Sequence, residues 1–103
     1  MRPKFPAVSD EMRRRSVMLE HEARTWPGTR CGKMFGMVSL YRKDAIFALL
    51  PATRAIENPN SIALRRQKRV ADNTHKWEVF PVASDKDLGA ALERLRRAYE
   101  AAG

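Results

Sequence analysis

With a single cysteine, Cys31, the chain has no internal disulfide to form; a lone thiol fits a reducing compartment. Long hydrophobic runs are also missing. Nothing approaches the roughly 18 consecutive apolar residues that a membrane helix needs, so no membrane partner is expected. The start, Met1-Arg2-Pro3-Lys4-Phe5-Pro6, is basic but has no apolar stretch behind it. That is not a secretory signal, and the expected location is cytoplasmic. The five glycines do not gather into a phosphate-binding loop. There are two histidines, and His21-Glu22 has no second histidine at helical spacing. One cysteine and two histidines make a poor zinc site, and no metal or cofactor is expected. Cys31 with His21 or His75 has no surrounding Cys/His signature, so a thiol nucleophile with a base is not the expectation. No pair of carboxylates is brought together by sequence, and the chain reads as a protein that is not an enzyme.

Acidic residues are few beside basic ones. Twelve Asp+Glu stand against twenty Lys+Arg, a formal charge of +8 at pH 7. Such a balance attracts polyanions or acidic proteins, and it also serves solubility. Otherwise the composition is that of a globular protein, 44% hydrophobic and 31% charged. A chain of 103 residues makes one domain with a modest core. No internal repeat or low-complexity tract divides it.

Residues 1–7 read as an extended arm rich in proline and basic residues. Ser9 is an N-cap, followed by Asp10 and Glu11, whose charge suits the positive end of a helix. Met12, Ser16, Leu19, Ala23 and Trp26 recur at spacings of four and three, predicting a helix over about Asp10 to Arg24. Trp26-Pro27-Gly28 ends it. Three strands follow: Thr29 to Met34, Gly36 to Tyr41 and Ala45 to Leu50, the last two joined by a turn at Arg42-Lys43-Asp44. In the third, alternation sets Ile46, Ala48 and Leu50 opposite Ala45, Phe47 and Leu49. Both sets are apolar, which predicts a central strand. After Pro51, Ala52 to Glu57 is open to a short helix, and Asn58-Pro59-Asn60 is a turn. Ser61 to Leu64 and Trp77 to Val82 are two further strands. Ser84 with Asp87 resembles a capping box. It opens a final helix whose stripe is Leu88, Ala91, Leu92, Leu95, Tyr99 and Ala102. The expected fold is α+β: an about five-stranded, largely antiparallel sheet with N- and C-terminal helices packed on it.

Between the last two strands lies the densest basic run, Arg65-Arg66-Gln67-Lys68-Arg69. Arg65, Arg66, Lys68 and Arg69, with Lys76, are the candidate nucleic-acid-binding residues, able to contact phosphates. Trp77 beside Lys76 offers a stacking ring for single-stranded nucleic acid; as a strand residue next to the last helix, it is expected to pack inward instead. Arg13, Arg14 and Arg15 fall within one helical turn and splay around it. Methionines 12, 18, 34 and 37 read as core filler.

Three stretches carry a resemblance: Lys33-Met34-Phe35-Gly36, then Leu40-Tyr41-Arg42-Lys43-Asp44, then Ile46-Phe47-Ala48-Leu49. In this order they resemble the central segment of TfoX N-terminal-type domains. The Trp-bearing strand and the acidic-capped helix ending Arg97-Ala98-Tyr99-Glu100 are similar to the end of YjbR/MmcQ-like proteins. The two matches span about half of the chain. Met37 stands where the family motif has a second glycine, and Pro51 to Asn60 departs from its usual Leu-Tyr-Leu-Lys strand. The resemblance implies a secretion-chaperone-like fold in the order α-β(3)-α-β(2)-α, with no cofactor and no catalytic residues. Taken together, the sequence points to a small basic binding domain with a protein partner or a second copy of itself. A nucleic-acid binder using the basic run is the alternative.

Overall fold

The computed structural model describes residues 7–55, 58–65 and 77–102. The elements are α1 (Asp10–Ala23), β1 (Thr29–Met34), β2 (Met37–Arg42), β3 (Ala45–Pro51), β4 (Ser61–Arg65), β5 (Trp77–Pro81), a 3-10 turn (Asp85–Asp87) and α2 (Leu88–Ala102). The strands form one open sheet in the order β1-β2-β3-β4-β5, with every neighbouring pair antiparallel. This is the α+β architecture expected. Among the described residues no helix is long and apolar enough to cross a membrane.

The caps form largely as the sequence suggests. The Ser9 hydroxyl accepts from the Met12 amide at 3.2 Å, satisfying one of the free N–H groups at the start of α1. At the other end of the chain, the Asp87 carboxylate accepts from the amides of Ala83 and Ser84 at 2.9 and 3.2 Å. α1 stops at Ala23, yet Trp26 stays buried beyond it. α2 buries Ala91, Leu95, Ala98 and Tyr99, close to the predicted stripe.

Both helices lie on one face of the sheet. The main core joins Met12, Leu19 and Ala23 of α1 and Leu95 and Tyr99 of α2 to Leu40, Phe47, Leu50 and Ile62 of the strands. A second, smaller cluster has Met37, Leu49 and Ala63 at its centre, with Met34, Ile46 and Trp77 against them. No helical residue belongs to it among those described. Among the described residues, the sheet therefore has a face covered by helices and a face that no helix covers, called the helix-free face below.

β3 differs from the simple alternation. Leu40 pairs with Ala48, but Tyr41 pairs with Ile46, so Phe47 is an extra residue. A bulge of this kind lets two neighbouring side chains leave the period of two. Phe47 accordingly joins Ala48 and Leu50 in the main core, while Ile46 shares the other face with Leu49. Trp77 is likewise corrected: it is half-buried on the helix-free face rather than packed under α2.

The short helix over Ala52 to Glu57 does not form in residues 52–55; residues 56–57 lie outside the described chain. The reason is where the backbone donors go. The amides of Ala52, Thr53 and Arg54 all donate to the Gly36 carbonyl, at 3.3, 2.9 and 3.0 Å. The Thr53 carbonyl accepts from Val8, and Ala7 bridges Arg54, so the end of the expected arm is tied to this segment.

The three arginines of α1 splay as expected. Arg13 donates to the Ala52 carbonyl at 3.2 Å. Arg14 and Arg15 converge on Asp85, at 3.4 and 2.9 Å, and tie α1 to the start of the last helical segment. Hydrogen bonds from Arg15 and Arg14 hold the Asp85 carboxyl below its ordinary value. A depressed carboxyl stabilises the fold above its unfolded value, and that contribution is lost as pH falls through the folded value. Asp85→Asn should lower the urea midpoint at neutral pH, and the gap from the parent protein should close on acidification below about pH 4. Chemical denaturation of both proteins across pH reads this directly; a gap that does not change with pH would remove Asp85 as the source.

Candidate binding face

The helix-free face is concave. Its floor is Met37 and Leu49, both buried. Met34, Tyr41 and Ile46 rise around them, half-buried, with Trp77 and Arg65 at the β4–β5 side. Phe35 stands at the lip with 68% of its surface exposed. The concavity holds about 540 Å³. A second one, of about 390 Å³, shares Met34, Phe35 and Met37 and continues past Lys33 to Ala52 and Thr53. The second is also lined by Lys33 and Val38, an opposed pair on the helix-covered side, so it wraps around the β1–β2 turn.

The walls follow from pairing. In antiparallel strands, directly opposed residues share a face. Met34 opposes Met37, Arg30 opposes Tyr41, Tyr41 opposes Ile46, and Leu49 opposes Ala63. Arg65 opposes Trp77. The two basic residues lie over aromatic rings: Arg65 is 5.4 Å from the Trp77 centroid and Arg30 is 5.9 Å from that of Tyr41, within the range of cation–π attraction. Arg30 also reaches the Lys43 carbonyl at 3.1 Å and Asp44 at 3.5 Å. Among the described residues, neither concavity is lined by a carboxylate or an imidazole.

The lip is built by a two-residue turn. Phe35 and Gly36 have φ of +54° and +76°, the pattern of a type I′ hairpin turn. Gly36 suits its place for two reasons. Its φ favours glycine, and a Cβ there would sit 2.7 Å from Thr53 Oγ1 and 2.8 Å from Arg54 Cγ. Phe35 is less usual. Asn, Asp or Gly normally occupies that position, and a left-handed conformation costs other residues about 1–2 kcal/mol. A strained, exposed aromatic at the edge of an apolar groove is a place where local stability has been given up.

Of the sequence-predicted nucleic-acid residues, Arg65 lies in the described structure, at the groove wall. Arg66, Lys68, Arg69 and Lys76 lie outside the described residues, as does His75. Arg13, Arg14 and Arg15 are engaged with Ala52 and Asp85 and do not join Arg65. The methionines divide: Met12 is core, Met18 is exposed, and Met34 and Met37 line the groove. Cys31 is half-buried, and its sulfur accepts from Arg24 Nε at 3.3 Å. His21 is exposed on α1. Among the described residues, no group of three or more His, Cys, Asp or Glu could hold a metal ion.

Sequence reading missed the groove as a unit. The apolar period of β2 and β3 was visible, but the bulge that turns Ile46 toward Met37 and Leu49 has no local signature. No protein-family model matches the chain, no curated protein matches it, and no solved structure matches it.

Two substitutions separate structure from function here. Gly36→Ala should destabilise the protein by about 1–3 kcal/mol, through both φ and the Thr53 and Arg54 contacts. Phe35→Asn, a residue at home in this turn, should leave stability unchanged or raise it by up to about 1 kcal/mol. Urea titrations of the two variants decide both; a Phe35→Asn loss as large as that of Gly36→Ala would make Phe35 a structural residue.

Proposed function

We propose that the protein is a non-catalytic binding module that acts through the helix-free face of its sheet. The observation that carries this reading is the groove: apolar, concave, about 540 Å³ and edged by an exposed, conformationally strained Phe35. Contiguous apolar surface on a small protein marks an interaction site more often than it serves folding. The described lining supports binding over catalysis, because among the described residues it consists of thioether, aliphatic and aromatic groups with one guanidinium. Acid–base or nucleophilic work needs a differently equipped site. Membership of the TfoX-N/YjbR-like group, a single domain and a cytoplasmic setting are part of the same proposal. The Met34-Phe35-Gly36 hairpin supports the first, while the described residues between β3 and β4 lack the helix that the resemblance implies.

The nucleic-acid reading keeps one specific observation, Arg65 over Trp77 at the groove wall. It requires a labelled single-stranded oligonucleotide to bind with steep salt dependence. It also requires that changing Arg65, Arg66, Lys68 and Arg69 to Ala makes the salt slope shallower. Absence of binding at low salt would sink it.

The groove reading is tested with an apolar anionic dye, anilinonaphthalene sulfonate, followed by amide chemical shifts. Saturable binding should shift Met34 to Val38, Ile46, Leu49 and Trp77, and Phe35→Asn and Met34→Gln should each weaken it several-fold. Shifts confined to α1 and α2, or no binding by the native protein, would overturn the reading.

A further inference from the structure

We infer that Ala7 and Val8, residues 52–54 and the β1–β2 turn form one conformational unit. The attachment of residues 7–8 decides whether the turn is held or released, while the rest of the sheet stays closed. What the groove binds does not enter this inference.

The turn is the strained member. Phe35 has φ of +54°, and such a backbone conformation in a residue other than glycine persists only where its surroundings over-determine it. The hold comes from the segment after β3. The amides of Ala52, Thr53 and Arg54 donate to the Gly36 carbonyl at 3.3, 2.9 and 3.0 Å, and the Thr53 hydroxyl reaches the same oxygen at 3.4 Å. A carbonyl oxygen offers two lone pairs, so these donors share it and none of the four is indispensable. The approach is close as well, since Thr53 and Arg54 fill the space beside Gly36.

Residues 52–54 have little hold of their own. Thr53 and Arg54 are exposed, between buried Pro51 and buried Ala55. They are kept in place from outside. The Val8 amide donates to the Thr53 carbonyl at 3.2 Å, and Ala7 bridges Arg54. Arg13 of α1 donates to the Ala52 carbonyl at 3.2 Å. Val8 in turn packs against the main core. The dependence runs in one line, from the core through Val8 to Thr53, from Thr53 to Gly36, and from Gly36 to Phe35.

A segment of exposed backbone hydrogen bonds with few buried apolar contacts opens at lower free energy than the sheet around it. Relief of the strain at Phe35 favours that opening, and residues 7–8 oppose it. The effect is mutual by linkage: a ligand that prefers the released turn loosens residues 7–8 by the factor by which their release tightens the ligand.

Native-state amide hydrogen exchange on the full chain tests this. Val8, Thr53 and Arg54 report the unit, and the amides of β4, a strand paired on both sides, report opening of the sheet. In the native protein the three should share one protection factor, at least about tenfold below that of β4. Arg13→Gln should speed all three by a common, several-fold factor. Phe35→Asn, which relieves the strain, should slow all three several-fold, Val8 included. Ile62→Val, a small cavity in the main core, should speed β4 and leave the three as they were.

Val8, Thr53 and Arg54 responding to different variants would overturn the unit. Exchange that is unchanged or faster at all three in Phe35→Asn would detach the turn and overturn it equally. Rates at the three that rise with β4 in Ile62→Val would show that they open only with the whole sheet, which also overturns the inference.

Discussion

One extra residue in β3 decides what each face of the sheet becomes. With strict alternation, Phe47 would share a side with Leu49, and Ile46 with Leu50. The bulge opposite Leu40 and Tyr41 carries Phe47 to the helices instead. A single insertion thus supplies the largest fully buried side chain of the main core. It also moves Ile46 to the groove. Removing bulky apolar surface from water is the main favourable term in folding, so the placement of one ring has weight in a chain of this size.

Phe47 meets Tyr99, which ties the closing helix to everything else. The two rings stand 5.6 Å apart at 74°, and Trp26 approaches Tyr99 at 5.2 Å. The Tyr99 hydroxyl donates to the Pro27 carbonyl at 2.6 Å, and its own carbonyl accepts from Arg42 at 3.1 Å. Arg42 and Arg96 both lie over the ring, at 4.2 and 4.9 Å. A buried tyrosine needs a partner for its hydroxyl, and here that partner is the chain reversal after α1. The bend at Trp26-Pro27-Gly28, β2, β3 and α2 are therefore held by one side chain. Elsewhere on α2, Arg94 pairs with Glu78 and lies over Phe80, fixing β5 against α2.

The elements were legible because their signals are local. Ser9 and Asp87 announce helix starts, Pro27 and Gly28 an ending, and the stripe from Leu88 to Ala102 repeats at helical spacing. Three features were not legible, and each depends on residues distant in sequence. The bulge at Phe47 follows from how β3 registers with β2. The absence of helix at residues 52–55 follows from the Gly36 carbonyl collecting their amides. Trp77 faces away from α2 because Phe80 and Val82 are the residues of that stretch in the main core. The candidate site shows the same division. Arg65 was visible as a cation, and Met34, Phe35 and Gly36 as part of a family-like motif, but their shared groove exists only through pairing across five strands. The arginines of α1, conspicuous as charge, turned out to be internal fastenings.

The strand order has a kinetic consequence. Each strand pairs with its neighbour in sequence, so the sheet closes through short separations, which lowers the entropy lost before contacts form. The docking of Tyr99 on Trp26 and Pro27, of Arg96 on Trp26 and of Asp85 on Arg14 and Arg15 spans about seventy residues. As the chain leaves the ribosome, the β1–β3 part of the groove can assemble while α2 is still unmade. The helix-covered face is completed last, and until then Phe47, Leu50 and Ile62 remain without α2.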